Sequence, residues 1–391
     1  MTRARVKPQL IRWAREDAGL TIADVARKTG TSVDRVSQWE EGTLAPTLRQ
    51  LRLLGNAAKR PLAVFYLAEP PKRFQAMHDF RRLPGDPLAE GSPEFRLALR
   101  SAMARREVAL QLAEGLDAAS PELGMRASLE EQQRDVAARV RLLLSIPLER
   151  QRGWSGAYEA LNGWRAAIEA QGVLVFQASG VGLREMRGFS IAEDPLPAIV
   201  LNVRDTPNGR VFTLLHEFCH LLLRRGGVCD LAEQGARAPE DDRVEVFCNA
   251  VAAETLIPAA SLLLHAVVQR HGAEPDWKEE ELRLLAREFS VSREVVLRRL
   301  LDAGRTTRAF YQLMRERFLE EYEERRNAQQ GFSPPDIAAV SQAGVPFIQL
   351  VLDSYYQERI TSRDVSEYLG VNLKHLASIE ERVMGRHVMF A

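Results

Sequence analysis

The residues of this chain that could do chemistry are concentrated in one short motif, His216-Glu217-Phe-Cys-His220. On a helix, His216 and His220 stand one turn apart, with Cβ atoms roughly 5–6 Å from each other, so their imidazoles can share one Zn²⁺. Glu217 lies about 100° further round the helix, where its carboxylate can take a proton from a water on the open side of the metal. The motif therefore predicts a helix, a zinc site with His216 and His220 as ligands, and Glu217 as the catalytic base.

A catalytic zinc site needs a third protein ligand, which must come from outside this motif. Glu245, on the next predicted helix, is the best candidate. Asn249 stands one helical turn after it, where its side chain can hold a ligand imidazole in place. The competing ligands are Asp230, Asp241 and Asp242, in a predicted polar loop, and Glu254, on a different helix face.

The elements around this motif are mostly helices. Residues 173–176 and 198–202 are the only strong strand patterns, and the sequence from 211 onward is helical almost to its end. Residues 292–301 have the pattern of a second helix-turn-helix, for which ordinary helical packing is the favoured interpretation. Five short helices are predicted within residues 1–70, separated by Gly and Pro, and three of them begin with a Ser or Thr cap.

Two helices of this N-terminal block have the spacing of a helix-turn-helix. Thr21 begins the first helix, Gly30 makes the turn, and Ser32 begins the second. Val36 and Trp39 of the second helix are predicted to point inward, which leaves its opposite face exposed.

That exposed face carries side chains that can interact with base edges. Gln38 can pair bidentately with adenine, Arg35 with guanine or a phosphate, and Asp34 can accept a hydrogen bond from cytosine. Together with Thr21 and Ser32, these residues are the predicted DNA contacts. The alternative is a dimerisation or protein-docking module that never touches DNA.

The charge of the chain is balanced overall and uneven locally. The 53 Lys and Arg residues equal the 53 Asp and Glu residues in number, which excludes a histone-like coat protein. Residues 1–70 nevertheless contain 12 basic and 7 acidic residues, a surplus of five positive charges. This local surplus favours DNA binding by the N-terminal block.

The N-terminal block resembles the Xre/Cro-type repressor domain. The resemblance rests on Leu20-Thr21-x3-Val25-Ala26, the Gly30 turn, Ser32, and the ending Trp39-Glu40-x-Gly42-x3-Pro46-Thr47. It implies double-stranded operator DNA as a partner, and a repressor-type module suggests a homodimer.

Residues 172–260 resemble the ImmA/IrrE-type metallopeptidases. The resemblance rests on a strand ending in Leu201-Asn202, on Phe212-Thr213-x2-His216-Glu217-x2-His220, and on Glu245-x3-Asn249-x3-Ala253-x2-Leu256-Ile257-Pro258. It implies zinc held by His216, His220 and Glu245, with Glu217 as general base. It also implies cleavage of a helix-turn-helix repressor as the usual task.

Two cysteines depart from that family's pattern. Cys219 and Cys248 occupy positions where the family usually has small residues, so the two helices are expected to cross closely there. The two thiols could then form a redox-sensitive pair beside the zinc. The alternative is that both are buried small hydrophobic residues.

The expected fold is mainly α: an N-terminal five-helix bundle, an α+β zincin-like domain with a small sheet, and a helical C-terminal region. The predicted domains are a helix-turn-helix domain over 1–70, a linker over 71–91, a zinc metallopeptidase domain over 92–270 and the helical region over 271–391. With no signal peptide and no long apolar run, the chain is predicted to be cytoplasmic and to have no membrane partner.

The predicted function is that of a DNA-binding regulator whose zinc endopeptidase cleaves a repressor or a toxin-system partner. The alternative is a non-catalytic repressor or antitoxin that uses the peptidase fold as a sensor or docking module. Self-cleavage would need a flexible segment to pair with an edge strand, which is expected at Ala198–Asn202. The Pro-rich linker is expected to be extended and exposed enough, but its prolines lack the backbone donors for such pairing, so a separate protein substrate is favoured.

Overall fold

A computed structural model describes residues 3–4, 6–60, 62–70, 92–116, 122–183, 185–225, 227–229, 239–328 and 334–390. The predicted linker, 71–91, lies outside the described residues. The chain divides into two compact units, residues 1–103 and 104–391, and the division falls within one helix, Pro93–Gly115.

The first unit is a small helical bundle. Its helices are α1 (Pro8–Asp17), α2 (Ile22–Thr29), α3 (Val33–Glu41), α4 (Leu48–Ala58), a 3-10 helix (Leu62–Tyr66) and the first part of α5 (Pro93–Gly115). The side chains of Thr21, Ser32 and Thr47 each accept a hydrogen bond from the first turn of α2, α3 and α4. Such caps satisfy the free N–H groups of a helix start, which explains where these three helices begin. The fifth predicted helix is the 3-10 helix.

The turn between α2 and α3 depends on Gly30, whose φ of 63° lies in the left-handed region that favours glycine. Val36 and Trp39 are buried, as predicted. An ion pair fixes the end of α3, because Arg15 of α1 donates to both carboxylate oxygens of the buried Glu40, at 2.6 and 2.9 Å. The face of α3 opposite this core is therefore held in one orientation.

The second unit contains the remaining helices and the strands. The helices that follow α5 are α6 (Gln133–Leu143), α7 (Leu148–Arg152), α8 (Ala157–Glu169), α9 (Pro207–Leu222), α10 (Pro239–Leu256), α11 (Ala259–Leu263), α12 (Ala266–His271), α13 (Glu279–Glu288), α14 (Arg293–Asp302), α15 (Arg308–Ala328), α16 (Pro335–Ala343), α17 (Val345–Tyr356), α18 (Ser362–Leu369), a 3-10 helix (Leu373–His375) and α19 (Leu376–Phe390). The strands are β1 (Leu174–Ala178), β2 (Gly188–Ile191), β3 (Ala198–Asn202) and β4 (Gly227–Cys229).

The four strands form one mixed sheet in the order β1-β3-β2-β4. β1 pairs parallel to β3, whereas β2 runs antiparallel to both β3 and β4. The prediction of a mainly α fold with a small sheet is confirmed.

The expectation that Ala198–Asn202 is an edge strand is wrong. This segment is β3, which lies inside the sheet between β1 and β2. All five of its residues are buried, and an unbroken apolar run is typical of a strand covered on both faces. Within the described part of the chain, β4 lies at the sheet edge nearer to β2.

Each face of the sheet packs on helices. Ile199 and Leu201 share a continuous core with α9, whereas Phe176 meets Phe347 of α17 edge to face at 6.0 Å. Among the described helices, none alone is long and apolar enough to cross a membrane. The bent pair α16 and α17 would together be long and apolar enough by length and composition, although Ile348 and Val351 of α17 are buried in the protein.

Candidate metal site

Four residues separate β3 from helix α9, and local contacts fix where the helix begins. Thr206 accepts a hydrogen bond from the backbone N–H of Gly209 at 3.0 Å, and Pro207 occupies the first helical position. Asn202, at the end of β3, donates to the carbonyls of Val181 and Met186. The loop between β3 and α9 is thus fixed by hydrogen bonds at its β3 end and at its α9 end.

The structure brings His216, His220 and Glu245 together. The two Nε2 atoms of the histidines are 3.0 Å apart. The Glu245 carboxylate lies 3.3 Å from the Nε2 of His216 through one oxygen and 3.3 Å from the Nε2 of His220 through the other. Both histidines are buried, and the Glu245 side chain is 17% exposed.

This donor set fits a zinc ion. Imidazole nitrogens and a carboxylate oxygen are ligands that Zn²⁺ takes at about 2.0–2.2 Å, so ligands around a tetrahedral ion lie roughly 3.3–3.5 Å from each other. The separations of 3.0 and 3.3 Å in this group are close to that value. Of the described residues, His216, His220 and Glu245 are the group of metal-ligand type found at such spacing.

The electrostatics of the group favour the charged form of Glu245. Burial alone would raise the pKa of its carboxyl, but hydrogen bonds from His216 and His220 outweigh that cost and hold the pKa well below its usual range. Glu245 is therefore deprotonated at neutral pH, which is the form that binds a metal.

Three side chains, of which Gln151 and Arg299 are buried, fix the end of the helix that carries Glu245. Arg141 donates to the carbonyl of Thr255, Gln151 to that of Leu256, and Arg299 to that of Ile257. The last carbonyls of a helix have no partner within it, so these contacts satisfy the end of α10 and tie it to α6, α7 and α14.

Those competing ligands that the structure describes do not lie with His216, His220 and Glu245. Asp230 and the side chain of Asp241 lie outside the described residues. Asp242 is exposed on α10, which begins at Pro239, so Asp241 and Asp242 belong to a helix and not to the predicted loop. Glu254 instead pairs with Arg299 and accepts from the N–H of Ala259.

Asn249 lies on α10 one turn after Glu245. Its Oδ1 is buried and has no hydrogen-bond partner among the described residues. Its predicted role in holding a ligand imidazole remains a prediction.

Glu217 is completely buried on α9, and glycine allows β2 to approach it. A Cβ at Gly188 would lie 2.5 Å from Cγ2 of Thr213, 2.9 Å from the carbonyl oxygen of Val200 and 3.5 Å from Cγ of Glu217. The first two distances leave no room for a methyl group. Sequence reasoning missed Gly188, whose only sign is a glycine within a four-residue strand.

Gly188→Ala is therefore expected to destabilise the protein by about 1–3 kcal/mol, the usual cost of overpacking. β2 must move away from α9 to admit the methyl group. Urea unfolding followed by circular dichroism measures the loss, with Gly182→Ala as the matched control, since its Cβ would meet nothing within 4 Å. An unchanged urea midpoint for Gly188→Ala would show that β2 and α9 leave room for a methyl group at position 188.

The two family-atypical cysteines lie together, as predicted. Cys219 and Cys248 are both buried in the core that α9 and α10 share, and they lie near each other. Burial, followed by the contact with Cys219, raises the pKa of the Cys248 thiol well above its ordinary value. A protonated, buried thiol reacts slowly with oxidants, which favours a packing role. Redox sensitivity of the pair remains a prediction.

Residues 292–301, the second helix-turn-helix pattern, coincide with α14, whose three arginines are engaged within the protein. Arg293 pairs with Glu279 and Glu321, Arg298 with Asp302, and Arg299 with Glu254. A DNA-contacting face needs basic groups that are available to phosphates. These contacts support the favoured interpretation that α14 is a packing helix.

The first unit places the predicted DNA contacts on its surface. Thr21, Ser32, Asp34, Arg35 and Gln38 are all exposed. The hydroxyls of Thr21 and Ser32 also cap α2 and α3, so these two residues have a structural role whatever else they contact.

Two family models match the chain, one over the N-terminal helical bundle and one over the part that contains the candidate metal site. Residues 11–65 match the helix-turn-helix model, and residues 168–301 match the IrrE N-terminal-like domain, a peptidase family. The chain thus combines a helix-turn-helix domain with an IrrE N-terminal-like metalloprotease domain. The predicted fusion is confirmed, while the domain boundaries at 70, 92 and 270 remain predictions. No curated protein matches the chain.

Proposed function

We propose that this protein is a zinc-dependent endopeptidase tethered to a DNA-binding module, and that it cleaves a partner protein. The observation that carries the proposal is the convergence of His216, His220 and Glu245 within 3.0–3.3 Å, beside Glu217 on the same helix. A structural zinc site has no use for a carboxylate at the position of Glu217, whereas a hydrolytic site needs one.

His216, His220 and Glu245 would hold the zinc. When bound, the ion supplies a water of lowered pKa and polarises the scissile carbonyl. Glu217 accepts a proton from the attacking water and passes it to the leaving amine. The burial of Glu217 excludes bulk water from this carboxylate, which strengthens its interactions with nearby charge.

The helix-turn-helix domain supports regulation through DNA. The partner we propose is double-stranded operator DNA, contacted by α3 through Gln38, Arg35 and Asp34. A homodimer would place two such helices in successive major grooves of a palindromic site.

Gln38→Ala is expected to cost about 1–3 kcal/mol at one adenine position of the operator and to relax specificity there. Fluorescence anisotropy on the promoter of the protein's own gene, with each base pair varied in turn, measures the change. Arg49→Ala, which removes an exposed cation at the start of α4, is the matched control. It should weaken binding to all sequences alike and reduce the salt dependence. A binding profile for Gln38→Ala that stays specific at every position would remove Gln38 from the interface.

The substrate we propose is a separate protein, a small helix-turn-helix repressor or a toxin-system partner. The described strands at the sheet edges are β1 and β4 and not β3, but the argument against the Pro-rich linker is unchanged, because proline lacks the donor that pairing uses. Transcription would then be regulated because the peptidase, while bound to DNA, cleaves and so removes its partner protein.

A pull-down that compares wild type with Glu217→Gln tests this function. The variant should retain the uncut partner, whereas wild type should release fragments of it. Equal retention of an uncut partner by both proteins would indicate the non-catalytic docking alternative.

Wild-type protein incubated alone with zinc tests self-cleavage. A Glu217-dependent fragment of about 8–10 kDa, scaled from 43.9 kDa over 391 residues for a cut at 71–91, would overturn the preference for a separate substrate.

A further inference from the structure

Ser190, in the middle of β2, is a polar residue in an apolar place. It has no exposed surface, and its hydroxyl oxygen has no hydrogen-bond partner among the described residues. Leaving a hydroxyl unsatisfied in the interior costs about 1–3 kcal/mol, and alanine would occupy the same site without that cost. This cost raises the question of which group Ser190 faces.

The sheet register shows that Ser190 faces α9. Its neighbour on β3 is Ile199, which belongs to the core shared with α9. Side chains two residues apart on a strand point to the same side, and Gly188, two residues earlier, lies against Thr213 and Glu217. Ser190 therefore lies on the side of β2 that packs against the metal-site helix.

The chain direction places Ser190 near the turn that contains Glu217. α9 follows β3 after only four residues and packs back over the sheet, so it runs antiparallel to β3 and in the direction of β2. The step from Gly188 to Ser190 spans about 6.6 Å, which equals roughly four residues of helix. Gly188 lies opposite Thr213 and the Cγ of Glu217, so moving by that amount places Ser190 beside the turn that runs from Glu217 to Leu221.

The charged groups at this turn are Glu217 and the two histidines. His216 and His220 direct their Nε2 atoms toward Glu245 and each other, on the side where α10 packs. The Glu217 carboxylate is the acceptor that a hydroxyl donor on β2 suits chemically.

We propose that Ser190 is a positioning residue of the candidate peptidase site, and that its hydroxyl donates a hydrogen bond to the Glu217 carboxylate when the site is loaded with metal. Ser190 lies within the sheet, on the side of β2 that packs against α9, so it acts only through Glu217. The inference rests on the proposed function, since a base needs orientation only if it is used.

The test is a double-mutant cycle read from the visible absorption of the Co²⁺-loaded full chain. Four proteins are compared: wild type, Ser190→Ala, Glu217→Ala and the double variant. Because Ser190 acts through Glu217, and alanine at position 217 leaves no acceptor for the hydroxyl, Ser190→Ala should shift the Co²⁺ bands of the wild type and leave those of Glu217→Ala unchanged. Ser354→Ala, which removes another buried hydroxyl without a partner among the described residues, is the matched control and should not shift the spectrum.

A spectrum of Ser190→Ala equal to that of wild type overturns the inference, as does an equal shift in both backgrounds. Failure of the wild type to bind Co²⁺ would instead overturn the proposed function itself. On the partner captured by Glu217→Gln, Ser190→Ala should lower kcat about tenfold with KM within about twofold, a fraction of the 10²–10⁴ that a positioned base contributes. A change confined to KM would contradict a role through the base.

Discussion

Alanine in place of His216, His220 or Glu245 is expected to empty the metal site. Wild-type protein should contain about one zinc per chain, and each variant only a small fraction of that, because a site with three protein ligands is reduced to two. The loss should be similar for all three variants, since their ligand atoms lie at nearly equal separations. Inductively coupled plasma mass spectrometry after dialysis measures the content.

Two matched controls separate ligand loss from general damage. His265→Ala removes a histidine that caps α12 and contacts Glu288, and Asp242→Ala removes an exposed carboxylate from the same helix as Glu245. Both should retain full zinc. If Glu245→Ala also retains it, Glu245 is not the third ligand, and Asp230 and Asp241 become the next candidates.

Zinc should also stabilise the folded chain. A ligand at 1,000 times its dissociation constant adds about 4 kcal/mol to the free energy of unfolding, provided that the unfolded chain does not bind it. The melting temperature of wild type should therefore rise with zinc, and that of the three ligand variants should not.

The parts of this molecule that the sequence predicts are those encoded locally. Caps at Thr21 and Ser32, the turn at Gly30 and the inward Val36 and Trp39 all follow from neighbouring residues, and the structure contains them as expected. The spacing of His216 and His220 is likewise a property of a single helix.

The parts that escaped prediction depend on long-range pairing. β2 and β4 are four and three residues long, too short for a periodic pattern, and without them β3 cannot be placed inside the sheet. The fit of β2 against α9 depends on the missing side chain at Gly188, and a single glycine does not reveal which element it approaches. The contacts of Arg141 and Arg299 with the end of α10 also escaped prediction, since an arginine-rich chain gives no sign of which guanidinium groups bind within the protein.

Glutamine in place of Glu217 is expected to abolish peptide cleavage without removing zinc. The amide has nearly the shape of the carboxylate but cannot accept a proton, so kcat should fall by about 10²–10⁴, the usual contribution of a positioned general base. Because Glu217 is not among the three residues that converge on the metal, the zinc content should stay near one per chain. KM should change little, since the variant loses proton transfer and retains the binding surface.

Glu217→Asp is the matched control for this substitution. It retains the carboxylate but withdraws it by one methylene, so it should lose part of the rate and recover more of it than Glu217→Gln. Cleavage of the captured partner under single-turnover conditions, with zinc content measured on the same preparations, distinguishes the cases. Wild-type rates in Glu217→Gln would remove Glu217 from the chemistry, and loss of zinc in that variant would make it a ligand. Only a rate that falls while the metal stays, and returns in part with aspartate, identifies this buried carboxylate as the base.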